Sequence, residues 1–238
     1  MHHELYKYCA FSENTLEIVS EEVIWVSEPD SLNDPFECSF NIEADMPLNE
    51  VIKRKEDVTK NNYIDMQIEL IEGIKSEFIS GGIFSLSEKR STSLMWCHYA
   101  NSHKGLCIGY GVSKNNDLGN GTCKKVKYGK YPSFSFTQMF KAFESADDKL
   151  ARKIYELMVL SKDLNWGYEK EWRLLYNKQS NTLIKPDFSI SSITFGMCMP
   201  ASKRTIIKKL LEGKDINYFE AYKKKNSYDV GIKKHIAQ

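Results

Sequence analysis

The sequence predicts an α+β fold: a single domain over residues 1–238, with a central mixed, mainly antiparallel sheet flanked by helices. Three observations support this fold class. Short runs of β-branched and aromatic residues recur between turn residues, as they do in the strands of a sheet. Amphipathic segments with apolar residues at helical spacing lie between these runs. The chain also shows no internal repeat, low-complexity stretch or linker, which favours one domain over two.

In the first half of the chain, strands are predicted where apolar or aromatic runs end at turn signals. Ser12 is a suitable N-cap, because its hydroxyl can accept from a backbone N–H in the first turn of a helix. Two glycines at 81–82 end a helical region and release a strand. The predicted elements are strand 5–8, helix 13–20, strand 23–26, helices within 48–79, strand 83–87, a short helix starting at 91 or 92, and strand 106–112.

In the second half, one long amphipathic helix is expected over residues 136–161, and its apolar stripe is interpreted as core. Gly213 is expected to end a later helix. Earlier, Gly109 and Gly111 leave one face of strand 106–112 nearly bare, which allows close approach by another group. The remaining predicted elements are a strand near 124–128, a turn and strand over 165–176, strand 190–195, helix 202–212, and strands 216–222 and 228–232.

The composition is that of a soluble globular protein, with 42% hydrophobic and 27% charged residues. No apolar run approaches the ~20 residues of a membrane span, and the N-terminus lacks a signal-peptide core, so no membrane association is expected. The six cysteines are scattered and form no CxxC pair. This pattern favours a cytoplasmic protein with reduced thiols over a zinc site or a disulfide framework.

The charge of the chain is uneven, although its net value is only +1. Residues 203–238 contain ten Lys or Arg and four Asp or Glu, a local charge of +6. A basic region of this kind can bind nucleic acid or another acidic partner. The alternative interpretation is an ordinary solvated surface.

The stretch 165–176 carries the residues best suited to chemistry. As a strand, it places Glu169, Glu171 and Arg173 on one face and Trp172 on the other. The two carboxylates then stand roughly 6.5–7 Å apart and raise each other's pKa, while the guanidinium lowers the pKa of the nearer one. Such a pair suits a reaction needing one ionised carboxylate and one proton acceptor. The alternative is an edge strand with a solvated salt-bridge face.

Several motifs, taken in order, resemble a widespread bacterial family known only as a domain of unknown function. The motif order makes this resemblance specific, and the motifs span most of the chain. The family implies no activity. The motifs are Leu5-Tyr6-Lys7-Tyr8, Asn33-Asp34-Pro35-Phe36-Glu37, Leu94-Met95-Trp96 followed by His98-Tyr99-Ala100, Lys104-Gly105, and Tyr168-Glu169-Lys170-Glu171-Trp172-Arg173.

The order of these parts is also similar to that in the ADP-ribosyltransferases, whose fold splits a sheet around an NAD cleft. That family carries Leu-Tyr-Arg or Leu-Tyr-His on its first strand, a Phe-x-Ser-x-Ser strand midway and a late Glu-x-Glu. Here Lys7 stands in place of the Arg or His, which is a departure that bears on NAD binding. The resemblance implies an ADP-ribosyltransferase-like split sheet. The matching residues are Phe84-Ser85-Leu86-Ser87 and Glu169-Lys170-Glu171.

The same resemblance implies roles for individual residues. Glu171 would hold the nicotinamide ribose of NAD and stabilise the oxocarbenium-like transition state, and Glu169 would activate an acceptor, either a protein or a nucleic acid. An enzyme of this kind would suit a toxin or a defence effector. No metal is expected. The residues expected to contact NAD are Lys7, Tyr8, Ser85, Ser87, Trp96, His98, Tyr99 and Arg173.

Other interpretations stay open for these residues. Trp96, His98 and Tyr99 equally suit packing of a short helix into the core. In a metal-dependent nuclease, the four carboxylates of Asp34, Glu37, Glu169 and Glu171 would hold Mg²⁺, provided that they converge. The Asn-Asp-Pro turn that carries the first two also has a purely structural explanation. A non-catalytic binding module that uses the basic C-terminal region is the third class.

Overall fold

The computed structural model describes residues 4–43, 81–135, 137 and 148–235. The helices predicted within 48–79 lie outside the described residues, and so does most of the first part of the helix predicted over 136–161. One domain over residues 1–238 therefore stays a prediction.

The described ranges contain α-helices, two 3₁₀ helices and strands in alternation. None of these helices has the length and apolar character needed to cross a membrane. The α-helices are α1 (Glu13–Glu21), α2 (Ser93–His98), α3 (Asp148–Val159) and α4 (Ala201–Leu210), and the 3₁₀ helices are Pro29–Ser31 and Leu164–Glu169. The strands are β1 (Glu4–Cys9), β2 (Ile24–Val26), β3 (Asn41–Glu43), β4 (Gly82–Ser87), β5 (Leu106–Gly111), β6 (Lys124–Lys125), β7 (Lys127–Gly129), β8 (Ser133–Ser135), β9 (Ser161–Asp163), β10 (Glu171–Tyr176), β11 (Thr182–Ile184), β12 (Ile190–Phe195), β13 (Asn217–Lys223) and β14 (Val230–Lys234).

Most predicted elements in these ranges are present, and their local signals act as expected. The Ser12 hydroxyl caps α1 by accepting from the Thr15 N–H at 3.3 Å. The strand predicted near 124–128 is instead two strands, because the chain changes partner at Val126. The Val126 N–H donates to the Glu171 carbonyl at 3.0 Å, and the next residue, Lys127, donates to the Leu160 carbonyl at 2.7 Å.

The architecture is α+β, with a large mixed sheet of eight strands in the order β14-β13-β12-β5-β1-β4-β10-β6. All neighbouring strands in this sheet are antiparallel except β12 and β13, which are parallel. Parallel strands need a crossover connection, and α4 supplies it between β12 and β13. The predicted α+β class with a mainly antiparallel mixed sheet is confirmed.

The junction between β1 and β4 is the weakest point of this sheet. β1 pairs with β5 from Glu4 to Cys9, whereas its register with β4 is the single pair Tyr6 and Ser87. Ile83 exchanges both backbone hydrogen bonds with Ser27 on the β1 side of β4, at 2.8 and 3.0 Å. Backbone groups alternate sides along a strand, so those of Ser85 face the same gap. The sheet is therefore nearly divided in two at this junction.

The main hydrophobic core covers one face of the sheet, where α1 and α4 pack. Leu5, Phe84, Ile108 and Leu174 are buried in it. A second cluster around Trp96 packs α2 against the sheet, and a third packs α3 beneath β4. The predicted close approach at strand 106–112 is confirmed, because a Cβ on Gly109 would lie 2.3 Å from the Ser192 hydroxyl.

Trp172 provides a test of this packing. It lies on the core side of β10 together with Leu174 and Tyr176, as predicted, and its indole N–H donates to Glu88 at 2.9 Å. We expect Trp172→Ala to lower the free energy of unfolding by about 3 kcal/mol, the lower end for a large aromatic side chain, because Trp172 is only partly buried. Urea denaturation followed by circular dichroism measures this change.

The matched control is Trp25→Ala. Trp25 is 40% exposed on the short strand β2, so its truncation should cost about 1 kcal/mol or less. Equal losses for the two variants would show that Trp172 does not pack against the core as described.

Candidate functional site

A cleft opens at the nearly divided junction of β1 and β4, with a cavity volume of about 190 Å³. Three neighbouring strands contribute to its wall, and further side chains come from α2, from β9 and from the segment around residues 31–37. The contributions of the three strands are Tyr6, Lys7 and Tyr8 from β1, Ser85 and Ser87 from β4, and Glu171 and Arg173 from β10.

Lys162 of β9 is the centre of a buried ion cluster on one side of this cleft. Its ammonium nitrogen lies 2.5 Å from Glu169 Oε2, 2.9 Å from Glu37 Oε1 and 3.3 Å from Glu171 Oε2. All four side chains are buried. Since each carboxylate comes from a different element or turn, the ammonium group joins three parts of the chain.

Arg173 is the second cation of the cluster and is fully buried. Its guanidinium binds Glu171 through two bonds, Nε to Oε1 at 2.8 Å and Nη2 to Oε2 at 3.1 Å. Nη2 also pairs with Glu37, and Nη1 donates to the Val159 carbonyl at 2.6 Å. Two parallel bonds of this kind fix the orientation of a carboxylate as well as its charge. The alternative of a solvated edge strand is therefore wrong.

The predicted arrangement of Glu169 and Glu171 on one strand face is also wrong. Glu169 is the last residue of the 3₁₀ helix Leu164–Glu169, and β10 begins at Glu171. Between them Lys170 adopts the left-handed conformation, with φ 48° and ψ 50°. The Ser87 hydroxyl holds this turn by donating to the Glu169 carbonyl at 2.5 Å. The two carboxylates consequently converge on Lys162 instead of standing in a row.

The two carboxyl groups differ in pKa, as predicted from the sequence, and Arg173 lowers the pKa of the nearer one as expected. Burial alone would raise the pKa of Glu171, and the charges of Arg173 and Lys162 outweigh it, so that the pKa falls to about 2. Burial raises the pKa of Glu169 above its ordinary value, although Lys162 opposes this. Burial raises the pKa of both groups, and the charge and hydrogen bonds of Arg173, which reach Glu171 and not Glu169, separate an ionised group from a proton acceptor.

Tyr99, the C-cap residue of α2, completes the surroundings of Glu169. Its hydroxyl donates to Glu169 Oε1 at 2.6 Å, while Lys162 occupies Oε2. Burial and the adjacent carboxylate raise the pKa of Tyr99, so this hydroxyl keeps its proton at neutral pH. Glu169 is thus held between a neutral donor and a cationic one.

Eight of the ten residues singled out from the sequence line the cleft. They are Lys7, Tyr8, Ser85, Ser87, Tyr99, Glu169, Glu171 and Arg173. Lys7 is partly buried, donates from Nζ to the Ser85 carbonyl at 3.1 Å and lies 5.3 Å from the Phe84 ring centre. Burial lowers the pKa of Lys7.

The other two residues, Trp96 and His98, do not line the cleft. Trp96 is fully buried, donates to the Arg90 carbonyl at 2.9 Å and packs edge-on against Tyr8. Its place in the core matches the alternative that the sequence left open. His98 is exposed on α2, with its ring 6.4 Å from that of Tyr168.

The sequence does not single out Lys162, and it implicates Glu37 in a site only through the nuclease hypothesis. Three of the four carboxylates named in the nuclease hypothesis converge, but they do so around the Lys162 ammonium. Asp34 instead accepts from the Phe36 N–H at 3.0 Å, which is the structural turn expected of an Asn-Asp-Pro sequence. Across the described ranges, no group of three or more His, Cys, Asp or Glu residues is arranged to hold a metal.

These observations define an α+β protein with a buried ion cluster beside a cleft in a nearly divided sheet. Residues 95–174 match the profile of a family described as Protein of unknown function (DUF2971). The resemblance to a domain of unknown function is confirmed over these residues, which include the motifs Lys104-Gly105 and Tyr168–Arg173 and most of that at 94–100. Searches of curated proteins and of solved structures found no match to the chain.

The opposite pKa shifts of the two carboxyls predict opposite effects of acid on stability. The pKa of Glu171 is lowered from 4.5 to about 2, so its stabilising contribution is complete above about pH 4.5 and is lost as the pH falls towards 2. We expect the parent to lose about 3 kcal/mol more than Glu171→Gln between about pH 5 and about pH 2. Chemical denaturation at a series of pH values measures this difference.

Glu169→Gln is the matched control, because the pKa of Glu169 is raised in the folded protein. Protonation of Glu169 favours the folded state as the pH falls towards the ordinary value, so this variant should lose more stability on acidification than the parent. One common pH profile for all three proteins would contradict the described electrostatics.

Proposed function

We propose that the protein is an ADP-ribosyltransferase-like enzyme that cleaves NAD and transfers ADP-ribose to a protein or nucleic-acid acceptor. One observation carries this proposal. The three motifs that resemble the ADP-ribosyltransferases lie on or beside β1, β4 and β10, which are neighbours in the sheet. Their residues Lys7, Ser85 and Glu171 meet at one cleft, where that sheet is nearly divided. Residues separated by up to 164 positions in the sequence are brought together there.

The size and lining of the cleft fit one end of NAD. Pockets that enclose a whole ligand have volumes of roughly 300–1,000 Å³. At about 190 Å³ the cleft suits the nicotinamide and its ribose, while the rest of NAD would extend outside. Tyr6, Tyr8 and Tyr99 provide aromatic surface, and the backbone groups of Ser85 face the gap between β1 and β4. Aromatic surface with a few fixed polar groups is typical of a small-molecule site.

Glu171 is the proposed catalytic carboxylate for bond cleavage. The glycosidic bond between the ribose C1′ and the nicotinamide nitrogen breaks, and its electron pair leaves with nicotinamide, so positive charge develops on the ribose. Glu171 is ionised and held in position by Arg173. Glu171 also lines the cleft, and a carboxylate held in a fixed position there favours a positive charge that develops beside it.

Glu169 is the proposed general base for the acceptor. A new bond forms between C1′ and the acceptor oxygen or nitrogen, and the proton of that atom passes to Glu169. A raised pKa suits a carboxyl group that must take up a proton. Tyr99 and Lys162 hold its two oxygens and so fix the direction from which the acceptor approaches.

The first test replaces each carboxyl with its amide. Glu171→Gln should lower the rate of nicotinamide release from NAD by about 10²–10³-fold, because the charge facing the ribose is lost. Glu169→Gln should reduce transfer of labelled ADP-ribose to macromolecules of a cell lysate more than it reduces hydrolysis of NAD. Chromatography of nicotinamide and scintillation counting of macromolecules measure the two reactions.

Loss of Glu171 leaves Arg173 and Lys162 less compensated, so Glu171→Gln must be compared at equal folded fraction. Glu171→Asp keeps the charge and should retain more activity than the Gln variant. Full activity in a folded Glu171→Gln protein would refute the role of Glu171, and equal losses of both reactions in Glu169→Gln would refute the role of Glu169.

The second test concerns binding of NAD at Lys7. We expect Lys7→Ala to weaken NAD binding by about tenfold or more through loss of a charge-assisted contact to a phosphate or ribose oxygen, and Lys7→Arg to preserve it. Isothermal titration calorimetry at fixed salt measures both. The matched control is Lys104→Ala, which removes an exposed lysine that does not line the cleft. No binding of NAD to the parent at millimolar concentration would refute the proposed function.

A further inference from the structure

A second concave surface lies at the far side of the sheet, where α4 packs beside the edge formed by β13 and β14. We call it the basic shelf, and its volume is about 740 Å³. β5 and β12 lie between β13 and β1, so the shelf is separate from the cleft. Its charged or titratable residues are Arg204 and Lys208 of α4, Glu220 of β13, Lys233 and Lys234 of β14, and His235.

The shelf carries more positive charge than its own ion pairs neutralise. Glu220 is its one carboxylate among the lining residues, and it pairs with Arg204, with Lys233 at 3.4 Å and with His235 at 3.0 Å. Four Lys or Arg side chains therefore face one carboxylate, which leaves a formal local charge of +3 without His235. The strip of α4 that borders the shelf contains no acidic residue.

Glu220 acts as an organiser of these cations. His235 turns Nδ1 towards Glu220 and Nε2 towards Lys208 Nζ, which lies 2.6 Å away. In this orientation Nδ1 can donate to the carboxylate and Nε2 can accept from the ammonium. The carboxylate thus fixes Arg204 directly and Lys208 through the histidine, and two cations one helical turn apart are held on one wall.

We infer that the basic shelf binds the phosphodiester backbone of a nucleic acid. The shelf is broad and lined by long cationic side chains, a combination that contacts successive phosphates and does not enclose a base. Its remaining lining residues, Ala201 and Thr205, present neither an aromatic ring for stacking nor a set of donors for base edges. Binding is therefore expected to depend on salt and to be indifferent to sequence.

The edge position of β14 offers a different explanation for two of the lysines. Lysines on an edge strand prevent pairing with the strands of other molecules, and Lys233 and Lys234 lie on such an edge. That explanation does not extend to Lys208, which belongs to the helix and contacts His235. Arg204 is held by Glu220 and by the Met199 and Gly196 carbonyls. A role in binding therefore needs the helix and the strand together.

The test is fluorescence anisotropy of a labelled single-stranded oligothymidylate of about 20 nucleotides, titrated with the full chain at about 50–200 mM KCl. The binding variant is Lys208→Gln with Lys234→Gln. Its control is Lys203→Gln with Lys209→Gln, which removes the same total charge as the binding variant. Both control positions lie on α4 and do not line the shelf. We expect the binding variant to weaken affinity about tenfold or more and to reduce the slope of log affinity against log salt by about 1.4.

The control pair should leave that slope unchanged. Equal effects of the two pairs would overturn the inference, since only net charge would then matter. Competition by polyglutamate as strong as that by unlabelled oligothymidylate would overturn the nucleic-acid assignment, and so would no binding by the parent at about 50 mM KCl. NAD takes no part in this experiment, so its outcome is independent of the proposed function.

Discussion

The contact of one ammonium group, that of Lys162, with three buried carboxylates is the constraint on which the rest of the site depends. Burying an ion costs several kcal/mol unless its partners and hydrogen bonds compensate. Here the turn carrying Glu37, the 3₁₀ helix ending at Glu169 and the start of β10 at Glu171 must all be in place together. The charge of Lys162 therefore ties the arrangement of these segments to the position of β9, which itself follows α3.

The cluster also explains how two neighbouring glutamates acquire different chemistry. Arg173 binds Glu171 along two parallel bonds, whereas Glu169 is not bound by a guanidinium and receives its donors from Tyr99 and Lys162. Proximity in sequence does not decide their protonation. The left-handed turn at Lys170 does, because it turns Glu169 out of the strand and into different surroundings.

Much of the fold follows from local pattern, and much of the site does not. β12 was predicted with its observed bounds because Gly196 and Pro200 follow an apolar run, and Ser12 marked the start of α1 correctly. The aromatic residues around Gly167 predicted a strand at Glu169, but tertiary contacts made a 3₁₀ helix there. Lys162 carries no local signal, because one lysine after a helix resembles any surface lysine. Only the assembled fold shows which charges meet.

The gap between β1 and β4 has a consequence for how this site can vary among relatives. Ser85 directs its main-chain groups into the cleft, where a complete ladder would have hidden them. Contacts made by the peptide group are kept after any side-chain substitution that leaves the backbone conformation of the strand unchanged. A substitution at position 85 would alter the hydroxyl and leave the carbonyl and N–H in place. Ligand recognition by the peptide group would thus persist as sequences diverge, without a conserved residue at this position in an alignment. Related proteins are therefore better compared by strand pairing than by residue identity.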